Sequence, residues 1–182
     1  MLLYIPNQFY TMPEELFDIV NENNQSLHIQ KSRTMVHGSE PAWHRTTHIW
    51  IINDKKEMLC QQRSLTKDAN PGKWQSFFGG HLKAGQTYEQ NAVEELKEEL
   101  GINANSRDLI PLYIRKSESA KHFAQVYVLR WDGSINDLHF DDDEVVKIMW
   151  FSQDELEKGI AGGQFCNAID GRVIGYLSSD IG

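Results

Sequence analysis

Residues 79–102 read GGHLKAGQTYEQNAVEELKEELGI, and the fold is decided by how this stretch is arranged. Residues 87–100 have the composition of a helix: Thr87 suits the N-cap, good helix formers follow, and Gly101 is placed to stop it. Each helical residue advances ~100°, so with Glu94 at zero Glu98 falls near ~40°, Glu95 near ~100° and Glu99 near ~140°. Four carboxylates therefore share one face. Ala92, Val93, Leu96 and Leu100 fall at roughly 160–260°, the stripe that such a helix buries against a sheet. Glu94 with Glu98 and Glu95 with Glu99 are like-charge i,i+4 pairs, each costing an isolated helix ~0.2–0.5 kcal/mol, and Lys97 relieves only part of this. A solvated acidic face is the plain reading of such a run. The alternative is that a hard cation such as Mg²⁺ turns the repulsion into coordination, with water and substrate phosphate completing its shell.

Outward from this helix, the chain reads mainly as strands. On the amino-terminal side, residues 15–20 suit a strand or short helix, 21–25 a turn and 27–31 a strand, so a hairpin is expected within the extension 1–44. The apolar, β-branched run 46–52 and the alternating run 58–63, separated by Asp54, Lys55 and Lys56, predict a second and central hairpin. Pro71-Gly72 marks a turn before an aromatic strand over 74–78. Beyond the helix, 109–114, 123–131 and 144–150 read as strands, Ser152 as the N-cap of a helix, and 166–177 as a last helical stretch after Gly162-Gly163. Strands and helices interleave without strict βαβ repetition, which predicts an α/β fold with a mixed sheet between helices.

The chain has 182 residues, a length that suits one domain, and its 40% hydrophobic content is enough to build a core. A formal net charge of -8 disfavours a nucleic-acid polymer as partner, and an anionic substrate would need a bridging cation. Only Cys60 and Cys166 are present, too few for a disulfide framework, and this favours a reducing cytoplasm. No apolar run approaches the ~20 residues that span a bilayer, so neither membrane insertion nor secretion is expected.

The stretch 79–102 resembles the Nudix box, the loop-helix-loop signature of hydrolases that cleave nucleoside diphosphates linked to another moiety. Against the pattern GX5EX7REUXEEXGU, with U aliphatic, Gly80, Glu95, Leu96, Glu98, Glu99, Gly101 and Ile102 match. Gln86 stands at the first glutamate of the pattern and Glu94 at its arginine. The resemblance implies a single Nudix αβα sandwich over 1–182. It also implies metal binding by Glu95, Glu98 and Glu99, with Mg²⁺ or Mn²⁺ as cofactor, and catalytic roles for Glu98 and Glu95. The family arginine orients a catalytic glutamate through an ion pair, so Glu94 reverses the local charge. On this basis Glu94→Arg is expected to raise activity about tenfold, or ~1.4 kcal/mol.

Beyond the box, WHRTTHIWIIN, LCQQRS, Pro71-Gly72-Lys73-Trp74 and GGH resemble the Nudix branch related to isopentenyl diphosphate isomerase, over roughly residues 15–158. His37, His44 and His81 sit at the spacings of three metal-site histidines in that isomerase, so a second metal or a substrate-pocket role stands beside a purely structural one. Gly79 occupies the place of the isomerase's proton-moving cysteine, and its pair of glutamates falls near Ala120 and His122. The resemblance thus implies a hydrolase-like relative rather than an isomerase.

Glu144, in the run Asp141-Asp142-Asp143-Glu144, is a further candidate for metal or base. Arg63 and Lys73 could receive phosphate, and Trp43, Trp74, Phe77 and Phe78 could stack on a base or serve the core. The expected activity is metal-dependent hydrolysis of a diphosphate bond in a small molecule. The alternatives are a catalytically impaired binding or regulatory module or, behind that, an isomerase-like enzyme. A homodimer is compatible with the sequence.

Overall fold

In a computed structural model, residues 14–67, 69–140 and 143–178 are described. The elements in chain order are β1 (Leu16–Val20), β2 (Ser26–Ser32), α1 (Arg33–Val36), β3 (His44–Ile52), β4 (Met58–Arg63), β5 (Trp74–Gln75), α2 (Tyr88–Leu100), β6 (Leu109–Ser117), β7 (His122–Arg130), β8 (Val145–Phe151), α3 (Gln153–Ala161) and α4 (Gly171–Ser178). β1 and β2 form the expected amino-terminal hairpin, and the region 15–20 is strand, not helix. The part of the extension over 1–13 lies outside the described residues, as do Asp141 and Asp142.

The main sheet has the order β5-β4-β3-β7-β6, with β8 pairing β4. β3 and β7 run parallel in register from His44↔His122 to Ile52↔Arg130, while the other pairs are antiparallel, so the sheet is mixed. Along β3, Ile49 and Ile51 point into one core cluster and Trp50 and Ile52 into another, as the two-residue period of a strand requires. The first cluster includes Ala92, Leu96 and Leu100 of α2; the second includes Leu156 of α3 and Val173 and Leu177 of α4. Helices thus cover both faces, which is why β3 reads as a nearly continuous apolar run rather than an alternating one.

Two expectations about the sheet need correction. β3 and β4 share a single register pair, Ile52↔Met58, beyond which the strands separate and β4 turns to β8. The expected strand over 74–78 is shorter than its aromatic content suggests: β5 ends at Gln75, and Phe78 instead bridges Ile49. The last helix also begins late, at Gly171, because residues 166–170 serve as a connection against β5, with Cys166 N–H donating to Trp74 O at 2.9 Å.

α2 forms where the sequence places it. Thr87 accepts from Gln90 N–H while the Gln90 side chain accepts from Thr87 N–H, a reciprocal capping box, and Gly101 closes the helix at φ 72°. Among the described residues no helix is long and apolar enough to cross a membrane.

Candidate metal centre and its cleft

The separation of β3 from β4 leaves one edge of β3 to the chain over 78–82. Ile49 N–H donates to Phe78 O at 2.8 Å, Thr47 N–H to Gly80 O at 2.9 Å and Leu82 N–H to Arg45 O at 3.0 Å. Gly79 and Gly80 are thereby pressed between β3 and α2. Gly79 has φ 120°, and a Cβ there would lie 2.3 Å from Thr47 O; a Cβ on Gly80 would lie 2.4 Å from Glu95 Oε1. Both positions need the missing side chain.

This close approach sorts the four carboxylates that the helical wheel placed together. Glu99 Oε2 accepts from Gly79 N–H at 2.9 Å and Glu95 Oε1 from Asn91 Nδ2 at 3.2 Å, so both turn toward the loop, while Glu98 remains exposed. Burial pushes the Glu99 carboxyl up to about 8, against the pull of the Gly79 N–H, and that of Glu95 up to about 7, against the Asn91 hydrogen bond. Burial on α2 also differs from expectation, since Val93 of the apolar stripe is only half-buried while Asn91, on the acidic face, is buried with Ala92, Leu96 and Leu100.

Glu94 has partners that the box pattern does not anticipate. Lys83 Nζ lies 2.5 Å from Glu94 Oε1 and 3.6 Å from Glu98 Oε1, and Gln86 Nε2 donates to Glu94 Oε2. The hydrogen bond from Lys83 pulls Glu94 below the usual carboxylate range and raises Lys83 in turn. The cation that relieves the acidic face is therefore Lys83, not Lys97. The two departures from the pattern, Gln86 and Glu94, bond to each other.

Glu95, Glu98 and Glu99 line a cleft of about 510 Å³ together with Arg33, Arg63, Lys67, Gln75 and Glu144. Arg63 donates from Nε to Ala69 O at 3.0 Å and from Nη1 to Gln75 Oε1 at 3.1 Å, which holds the guanidinium in one plane. Lys67 Nζ pairs with Glu144 Oε1 at 2.5 Å, and the backbone of Ser64 ties the two segments by donating to Glu144 O at 2.9 Å. Lys73 is not part of the lining; its contribution is a carbonyl that accepts from Arg63 N–H. The aromatic candidates lie elsewhere: Trp43 packs on Phe123, Trp74 on Phe151 and Phe77 on His48, and Phe78 is in the core.

The histidines gather in a separate cluster. One ring nitrogen from each of His37, His44 and His81 lies within 4.8 Å of the others, and the Nε2 atoms of His37 and His81 are 3.1 Å apart. His44 is fully buried; its Nδ1 is 2.9 Å from Ala42 O, which fixes the proton there and leaves Nε2 a lone pair with no partner among the described residues. Burial lowers all three rings below the usual imidazole value, His81 to about 3. His122 faces His44 across the β3–β7 pair with ring centroids 5.8 Å apart.

Sequence reasoning missed Asn91, Lys83, Arg33, Lys67 and Gln75. Lys83 precedes Glu94 by eleven residues across a loop, a separation no periodicity exposes. Asn91 lies at ~60° on the wheel, between Glu98 and Glu95 rather than on the apolar stripe, so periodicity assigns it to the polar face and gives no sign of its burial.

A mixed sheet between helices, with a carboxylate-bearing loop-helix-loop docked where two central strands part, defines a class of small αβα sandwich proteins. The NUDIX domain family model matches residues 42–165, and the chain belongs to that family. It is 33% identical over 169 residues to an uncharacterized Nudix hydrolase of Clostridium acetobutylicum, covering 88% of this chain and 78% of the relative. A second relative, an uncharacterized Nudix hydrolase of Listeria monocytogenes, is 28% identical, with 83% and 88% of the two chains covered. Among solved structures, a Deinococcus radiodurans protein superposes with a TM-score of 0.71 at 23% identity over 91% of this chain and 100% of its own, which supports the fold.

Proposed function

We propose that the chain, read as one Nudix domain, is a divalent-cation-dependent hydrolase of a diphosphate bond in a nucleoside diphosphate derivative or related small molecule. The observation that carries this reading is the convergence of Glu95, Glu98 and Glu99 on one cleft wall with Arg63 and Lys67 in the same cleft. The donor set suits Mg²⁺ or Mn²⁺: the ligands are hard carboxylate oxygens, two of them pushed toward the protonated form by burial, a cost that a cation at the site removes. A bound divalent cation would supply charge neutralisation at the phosphoryl oxygens and a water of lowered pKa. Glu95, Glu98 and Glu99 would hold it, and Glu98 or Glu95 would take the proton of the attacking water. Arg63, with its guanidinium already fixed, would receive the second phosphate without further loss of side-chain freedom. Cys60 and Cys166 are free thiols, which fits a reducing cytoplasm.

A panel of nucleotide sugars, dinucleotides, nucleoside triphosphates and prenyl diphosphates, each with Mg²⁺ and with Mn²⁺, tests the reading. Turnover of at least one class is expected; silence across the panel with both metals removes the hydrolase and leaves a binding module.

The Lys83 contact reverses the expectation attached to Glu94→Arg. A guanidinium at 94 would face the Lys83 ammonium, leave Lys83 only its longer contact with Glu98 and deprive the Gln86 amide of Glu94 as acceptor. This pair is partly exposed, so the effect is modest, ~0.5–1 kcal/mol. Steady-state kinetics should show kcat/KM falling roughly threefold; a rise would restore the view that Glu94 is a defect.

A second reading concerns His37, His44 and His81, supported by the buried, partnerless Nε2 of His44 aimed among converging imidazoles. We propose that they hold a transition-metal ion, for which three neutral imidazoles are suitable ligands. Elemental analysis after loading with Zn²⁺ should show one ion more per chain in the wild type than in His44→Ala; equal Zn²⁺ content in both would remove this site.

A further inference from the structure

Asn91 occupies an unusual place for an amide. It is 1% exposed although it lies at ~60° on the wheel of α2, between Glu98 and Glu95 and away from the apolar stripe of Ala92, Leu96 and Leu100, so an uncharged amide is buried on the acidic face against the 78–82 chain. Both ends of its amide are hydrogen-bonded, with a longer contact from Nδ2 to Gln86 Oε1 at 3.5 Å beside the shorter ones. Oδ1 accepts from Thr47 Oγ1 at 2.6 Å, and Nδ2 donates to His81 O at 3.0 Å and to Glu95 Oε1 at 3.2 Å. A carbonyl and a carboxylate on the nitrogen side admit one orientation of the amide only. The partners belong to three elements, since Thr47 is on β3, His81 on the loop and Glu95 one turn further along α2. The circuit closes through the backbone, where Thr47 N–H donates to Gly80 O at 2.9 Å and Gly80 leaves room for the Glu95 carboxylate.

We propose that Asn91 is a positioning residue for the metal centre, fixing the Glu95 carboxylate in the cleft before any cation arrives. This inference rests on reading Glu95, Glu98 and Glu99 as a divalent-cation site. A glutamate free to rotate must be ordered when it binds metal, and that cost weakens affinity; here the ordering is completed on folding, by a side chain that is itself locked to β3 through Thr47. Partners of metal ligands that act in this way typically change metal affinity ~10–100-fold when removed.

The test is titration of the full chain with Mn²⁺, followed by electron paramagnetic resonance, alongside thermal unfolding. Asn91→Leu keeps the volume and loses the donor, and should raise the Mn²⁺ dissociation constant about tenfold. Thr47→Val removes the hydroxyl that holds Asn91 and should move it in the same direction by about threefold, which keeps the test alive if Asn91→Leu does not fold. In a Glu95→Gln background, Asn91→Leu should have no further effect on Mn²⁺ binding, which separates this centre from the histidine cluster. A lowered melting temperature with unchanged Mn²⁺ affinity in the variants that fold would make Asn91 a merely structural amide and overturn the proposal. If the wild type itself binds no Mn²⁺, the metal reading of the acidic cluster falls with it; tight wild-type binding unaffected by either variant defeats only the role of Asn91.

Discussion

Glu98→Gln is expected to lower kcat/KM about a thousandfold, equivalent to ~4 kcal/mol of transition-state stabilisation. The substitution keeps size and shape and removes one negative oxygen from the cleft wall. Glu98 is exposed, and its ion pair with Lys83 at 3.6 Å is looser than that of Lys83 with Glu94. Folding should therefore hardly register the change, at ~0.5 kcal/mol or less. The separation of effects makes the variant informative, because Glu95 and Glu99 are bound into the loop and their replacement would disturb structure and chemistry together. Steady-state kinetics beside a melting curve measure both. A loss of less than about threefold with the melting temperature unchanged would deny Glu98 any part in the chemistry.

Gly79→Ala is expected to carry the largest loss of stability of the substitutions considered, ~2–4 kcal/mol. The new Cβ would meet Thr47 O at 2.3 Å, a backbone atom of the central strand that cannot swing aside, and φ 120° is a conformation that alanine resists. The Gly79 N–H that anchors Glu99 would move with it, so turnover should fall as well. Urea unfolding should show a lower midpoint with an unchanged slope. A midpoint equal to that of the wild type would mean that the loop can lift from β3 without cost, contrary to the hydrogen bonds that Phe78 and Gly80 make with Ile49 and Thr47.

Much of this architecture is legible in the sequence because it depends on local rules. α2 announces itself through Thr87, Gly101 and a 3.6-residue apolar stripe, and the structure places its ends at those caps. The doubly buried β3 is legible as an apolar run, and the amino-terminal hairpin from its turn at 21–25. What escapes is whatever depends on a partner distant in sequence. The separation of β4 from β3 is decided by the competition between β8 and the loop 78–82 for strand edges, and neither run of residues encodes that choice by itself. For the same reason the wheel grouped four glutamates as equals, whereas contact with Gly79 and Asn91 turns Glu99 and Glu95 inward and Lys83 claims Glu94. Arg63 and Glu144, candidates from the sequence, line the cleft, whereas Lys73 is not among its lining residues. The histidines are singled out by the resemblance to the isomerase branch, and the structure collects all three.

The most direct test of the central claim is hydrolysis of the best diphosphate substrate in water enriched in heavy oxygen, followed by phosphorus NMR with and without a chelator. With Mg²⁺ or Mn²⁺ present, heavy oxygen should appear in one phosphate product of the wild type, and chelation or Glu98→Gln should suppress it. Product that forms undiminished in the presence of chelator, or that forms equally fast in Glu98→Gln, would contradict the assignment of Glu95, Glu98 and Glu99 as the metal-bearing wall of a hydrolytic site.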